Sequence, residues 1–148
     1  MDAPGNWLVA TDTLLLAAQL VDAIQEGVAR RGFADVRPAH GFAFVCISGG
    51  DATIADVGEY LGITKQAAAQ LVRQLEERGY VTRRPHPLDA RASLLGLTAR
   101  GAACTRAAEE AAADAVERWR AQLGAARFGH LQQALRAVVR PGPLRPAW

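Results

Sequence analysis

Only two cysteines, Cys46 and Cys104, occur in the 148 residues. They form no Cys-x-x-Cys pair and none of the dense framework that small secreted domains need, which fits a reducing compartment. Histidine is equally sparse: His40, His86 and His130 are scattered, with no His-Glu-x-x-His, so no metal-ligand set is read. There is no Gly-rich phosphate loop ending in Lys-Ser/Thr and no Gly-x-Ser-x-Gly elbow. An enzyme is therefore not expected, and no cofactor is implied. No run approaches the roughly 18 consecutive apolar residues of a membrane span, and Met1-Asp2 puts an acid where a signal peptide would carry basic residues. A soluble, cytoplasmic chain without a membrane partner is expected.

Net charge is also low, +2 for the whole chain, so its placement matters more than its size. From Thr64 to Arg91 the basic residues Lys65, Arg73, Arg78, Arg83, Arg84 and Arg91 face only Glu76, Glu77 and Asp89. A basic segment on a near-neutral body suits a module that meets phosphates, and equally a solvated helix face. What is plentiful is apolar residues, 50% of the chain, enough to give a single domain a real core.

Residues 1–10 lack periodicity and contain Pro4 and Gly5, so a loose start is read, with order beginning near Thr11. Leu14, Ala17, Val21, Ile24 and Val28 then recur at helical spacing up to Arg30-Arg31-Gly32. A second helix is expected from Pro38 to about Ile47, closed by Ser48-Gly49-Gly50. Thr53 and Asp56 have capping-box spacing, and Ile54, Val57 and Leu61 share one face of a short helix that Gly62 ends. Thr64 can cap the next helix, whose stripe is Ala68, Leu71, Val72 and Leu75, with Gly79 after it. The three-residue connection Gly62-Ile63-Thr64 is short enough to hold the second helix at a fixed angle to the first, as a helix-turn-helix requires.

Two short strands follow, Tyr80 to Arg84 and Ser93 to Leu97, joined by a proline-containing loop. Thr98 can cap a long helix to about Leu123, with Ala108, Ala112, Ala115, Val116, Trp119 and Leu123 on its apolar side. Gly124 interrupts it, Phe128, Leu131, Leu135 and Val138 continue at helical spacing, and Pro141 begins a tail. The fold class read is mainly α with a small β-hairpin wing: a winged helix-turn-helix over 38–98 plus a helical dimerisation region made of 11–31 and 98–139.

This order of elements resembles the MarR family of bacterial winged-helix repressors. Two contiguous segments carry the resemblance: Ile54 to Val81, and Asp89-Ala90-Arg91-Ala92-Ser93-Leu94-Leu95-Gly96-Leu97-Thr98 followed by Arg100-Gly101. The latter segment is similar to the family's wing, with an acid and an arginine two apart and a Leu-Thr pair closing the strand. The resemblance implies a homodimeric, ligand-responsive repressor bound to a palindromic site in double-stranded DNA.

On that reading Lys65, Gln66, Ala69, Gln70 and Arg73 face the major groove, with side chains suited to adenine, guanine and thymine-methyl contacts. Ala67 and Ala69 depart from the hydroxyl residues common in the family, which removes donors. Thr64 and Lys65 serve phosphate positioning at the helix start. Asp89 orients Arg91, which reaches the minor groove, and Arg83 and Arg84 grip backbone. By elementary chemistry alone, Asp89 with Arg91 is an exposed ion pair and Arg83 with Arg84 a solvated strand edge.

A small aromatic effector is implied by the resemblance too. His40, Phe42, Phe44 and Cys46 fall near where its pocket would lie, but such residues on a short helix are core in the first instance, and no effector-binding residue is assigned. Two rivals keep the fold: a redox sensor built on Cys46 or Cys104, and a winged domain that contacts only protein.

Overall fold

The computed structural model describes residues 3–144. Eight elements follow in chain order: α1 (Ala3–Arg30), α2 (Pro38–Ile47), α3 (Ile54–Leu61), α4 (Lys65–Glu77), β1 (Val81–Pro85), β2 (Ser93–Leu97), α5 (Ala99–Leu123) and α6 (Ala125–Val138). The local signals explain most boundaries. Pro38 opens α2 at a position where its missing N–H would be unpaired anyway. Thr53 and Asp56 close a reciprocal capping box on α3, the Thr53 N–H donating to the Asp56 carboxylate at 2.8 Å and the Asp56 N–H to the Thr53 hydroxyl at 3.2 Å. Thr98 caps α5 by accepting the Gly101 N–H at 3.1 Å.

The loose start expected over residues 1–10 is wrong for the described part of that stretch, because α1 already begins at Ala3. Pro4 lies in the first turn, where proline costs no intrahelical hydrogen bond. Thr11 does not mark a boundary either: its hydroxyl donates back to the Trp7 and Leu8 carbonyls, and Thr13 donates to Val9, which satisfies both inside the helix. In this stretch Trp7 and Leu8 are 69% and 59% exposed.

By length and composition, Pro4–Arg30 is long and apolar enough to cross a membrane, although Asp12 and Asp22 interrupt its apolar run. Its C-terminal half packs along α5 instead. A Cβ placed on Gly27 would sit 2.5 Å from the Ala111 Cβ, so the two helices touch where both residues are small. Arg31 clamps the pair from the side, donating to Asp114 at 2.7 Å and Glu110 at 3.1 Å. The buried line of α5 is Cys104, Ala107, Ala111 and Ala115. That is one position round from the side read from the sequence, because α1 packs against the smallest residues.

The core joins α1, α2, α3, α4, the hairpin and α5 through Val28, Phe44, Ile47, Val57, Leu75, Tyr80, Leu95 and Cys104. The hairpin pairs Val81 with Leu97 and Pro85 with Ser93 in antiparallel register. Leu94 and Leu95 are both buried and Leu97 half-buried, which departs from the simple alternation of a strand. On the other edge of β2, Ala52 forms an isolated bridge to Leu95, whose N–H donates to the Ala52 carbonyl at 2.8 Å.

Candidate nucleic-acid interface

The angle between α3 and α4 is set by two glycines. Gly62 takes φ +68, a left-handed conformation that ends α3 without strain only in glycine. Gly58, buried within α3, lets the helices meet: a Cβ there would lie 3.3 Å from the Ile63 carbonyl oxygen and 3.5 Å from the Ala68 Cβ. Ile63 N–H then donates to the Gly58 carbonyl at 2.9 Å. Gly62 was legible as a helix stop. Gly58 was missed, and its signal is a small residue in α3 facing the small Ala68 of α4.

Thr64 accepts the Ala67 N–H at 3.1 Å and starts α4. Ala68, Val72 and Leu75 are buried and Leu71 half-buried, which turns the opposite side outward. Thr64, Lys65, Gln66, Gln70 and Arg73 are exposed there, with Ala69 half-buried among them. Among the described residues neither Lys65 nor Arg73 has an ion-pair partner.

The remaining basic residues of the segment are held differently. Arg83 on β1 donates from Nε to Glu76 on α4 at 2.7 Å, and that bond holds the guanidinium more firmly protonated. Arg84 donates to the Gly50 carbonyl at 2.8 Å and to Asp51 at 3.3 Å. Arg78 turns to the body and donates to the Asp35 carbonyl at 2.8 Å. At the loop tip Asp89 accepts the Arg91 backbone N–H at 2.9 Å, with the Arg91 guanidinium 3.7 Å from the same carboxylate. Arg91 is almost fully exposed. His86 stiffens this tip, its Nδ1 accepting the Leu88 and Asp89 N–H groups at 3.1 Å each. On this surface Lys65 and Arg73 are exposed without an ion pair and Arg91 is almost fully exposed, while Arg83 and Arg84, also exposed, tie the wing to α4 and to the segment before α3.

The wing is anchored at its foot by Tyr80, which is fully buried. Its hydroxyl donates to Asp35 at 2.7 Å and accepts from Arg100 at 3.0 Å, while the Arg100 guanidinium lies 4.4 Å over the ring. The Tyr80 hydrogen bond holds the Asp35 carboxyl below the usual carboxylate range. A Cβ on Gly101 would be 2.3 Å from the Tyr80 carbonyl oxygen, so α5 can start beside the wing only with glycine there. Sequence reasoning assigned no role to Asp35, Tyr80 or Arg100, since their pairing joins residues 45 and 20 positions apart.

A cavity of about 360 Å³ lies between α1, α2 and α5. Its wall is apolar, with Val21, Ile24, Val28 and Ala108 among its residues, and Gln25, Arg37 and Glu109 add polar groups. Of the four residues expected near such a pocket, Phe42 and Phe44 line it and His40 and Cys46 do not. His40 is buried, with Nδ1 accepting the Arg37 N–H at 2.9 Å, and burial lowers its pKa. Burial pushes the Cys46 thiol up and the Cys104 thiol to about 11, which leaves little reactive thiolate on either.

A helix-turn-helix followed directly by a β-hairpin, with helices on either side, defines a winged helix-turn-helix. Residues 37–92 match the MarR family, and the fold is that of MarR-family transcriptional regulators. The chain is similar to RV1404 from Mycobacterium tuberculosis at 29% identity and TM-score 0.75, over 87% of this chain and 89% of that one. It is similar in fold to wild-type apo MarR from E. coli at 20% identity and TM-score 0.73, over 88% and 96%. It also resembles in fold a point mutant of S. aureus MepR bound to an oligodeoxyribonucleotide, at 16% identity and TM-score 0.67, over 87% and 94%. No curated protein matches the chain. The resemblance read from the helix-turn-helix and the wing is borne out.

Proposed function

We propose that the chain is a cytoplasmic, sequence-specific DNA-binding transcriptional regulator that acts as a ligand-responsive repressor on a palindromic site. The observation that carries this reading is the shared surface of α4 and the wing. Lys65, Gln66, Gln70 and Arg73 point outward from one side of α4, and Arg91 stands exposed at the tip of a hairpin tied to that helix by Arg83 and Glu76. In this reading Gln66, Gln70 and Arg73 meet base edges in the major groove, Ala69 meets a thymine methyl, and Thr64 and Lys65 meet phosphates. Arg91, steered by Asp89, enters the minor groove. Arg83 bonds Glu76 through Nε and Arg84 bonds Gly50 and Asp51 through Nη2, so each keeps further N–H donors that can meet backbone while it holds the wing. MepR, whose fold is similar, is bound to an oligodeoxyribonucleotide, which favours the same use here.

A homodimer is supported by apolar surface that this chain leaves bare: Trp7, Leu8, Val9, Leu14 and Leu15 on α1, and Val138 at the end of α6. A two-fold dimer would set two α4 helices into successive major grooves about 34 to 36 Å apart. The cavity between α1, α2 and α5 suits a small aromatic effector, because a ligand there touches both the terminal helices and α2 of the winged region. Neither cysteine has the lowered pKa of a redox sensor.

The test is titration of the purified protein against DNA flanking its own coding region, across a range of salt concentrations. A steep fall of log affinity with log salt, together with preference over random duplex, is expected. Absence of binding by a folded dimer would turn the reading to a protein-contact module.

A further inference from the structure

Beyond α6, residues 139–144 stay against the molecule. Val139 is extended at φ −74 and ψ 126. Pro141 and Pro143 fix their own φ and bias the residues before them away from helix, so the run is stiff and extended. It returns to the winged region, where Leu144 lines the cavity between α1, α2 and α5. There the Tyr60 hydroxyl on α3 donates to the Leu144 carbonyl at 2.5 Å, joining residues 84 positions apart. Leu144 remains 65% exposed, so it lies at the mouth and leaves the interior open.

We propose that residues 139–144 form a strap across the effector cavity, with Leu144 as its apolar plug and Tyr60 as its latch, so that the chain's own C-terminal segment competes with the ligand. The proposal rests on the reading of this cavity as the effector site. Leucine is a chemical match for the apolar wall, and the two prolines reduce the freedom lost when the strap is seated. One exposed hydrogen bond and one largely exposed side chain make a weak closure, which a ligand can displace. A strap seated for part of the time lowers apparent ligand affinity by the fraction of molecules left open. Ligand entry then also breaks the tie between the C-terminal segment and α3, the first helix of the helix-turn-helix.

The test uses the full chain and the fluorescent aromatic anion anilinonaphthalene sulfonate as probe. Leu144→Ser and Tyr60→Phe are each expected to tighten probe binding about three- to tenfold, and the double variant to gain little more than the stronger single one, because both open one closed state. Ala108→Phe, which fills the cavity, is expected to remove probe binding in every background. Unchanged affinity in both single variants, with binding still lost in Ala108→Phe, would overturn the strap and leave the cavity as a ligand site. Probe binding that ignores Ala108→Phe would overturn both.

Discussion

The winged region and the terminal helices differ in how far each satisfies itself. From α2 to β2 the helix starts are capped, the apolar stripes are buried and the wing is tied at foot and edge by Tyr80, Ala52 and Arg84. In α1 the residues from Pro4 to Gln19 are almost all exposed, apolar ones included, while only the C-terminal half meets α5. The first region has a core of its own. In the second, the N-terminal half of α1 has an apolar face and nothing among the described residues to bury it, which is the condition under which a helix waits for a second chain.

The same difference governs what was legible in the sequence. Thr53 with Asp56, Gly62, Thr64 and Thr98 act on neighbours within four residues, and each did the work its type and spacing announced. Contacts between distant segments left no such mark. The Ala52 bridge to Leu95 and the Asp35, Tyr80 and Arg100 cluster depend on how the chain returns on itself, and the Arg83 bond to Glu76 on the turn between α4 and β1. At the candidate site, spacing told which residues of α4 would face outward; it did not tell which arginines would already be engaged. The start of α1 was misread because Pro4 and Gly5 usually punctuate, whereas in a first helical turn proline is tolerated.

The strongest way to break the contrast is Gly101→Ala. With a Cβ 2.3 Å from the Tyr80 carbonyl, α5 must move off the wing, and urea denaturation is expected to show a loss of about 3 kcal/mol. A charge on the bare half of α1 should act in the opposite manner. Leu15→Glu is expected to halve the mass seen by sedimentation and to weaken binding to a palindromic duplex about a hundredfold, with the melting of the winged region kept. Retention of the dimer mass would mean that α1 pairs through another face. Arg91→Ala is expected to cost about tenfold in DNA affinity and to leave stability unchanged, since its side chain is almost fully exposed. Equal affinity for DNA would remove the wing from the interface.

The smallest effect is one of pH. Burial lowers the His40 pKa from 6.5, so the folded chain binds a proton less readily than the unfolded one. Stability is therefore fully present above pH 6.5 and is lost as pH falls toward the lower folded value. Thermal melts stepped down from pH 8 are expected to show this decline, and His40→Gln to flatten it. A decline unchanged in His40→Gln would assign it to other groups.

Glu76 and Arg83 carry one more implication. Their bond at 2.7 Å spans the helix that would read bases and the strand that carries the wing, and Arg84 fastens that strand to the turn before α3. Helix and hairpin are thereby one stiff tool rather than two jointed fingers. On the proposed function, a ligand in the cavity would act by shifting where that tool is held, and two copies drawn out of step with the double helix would let go together.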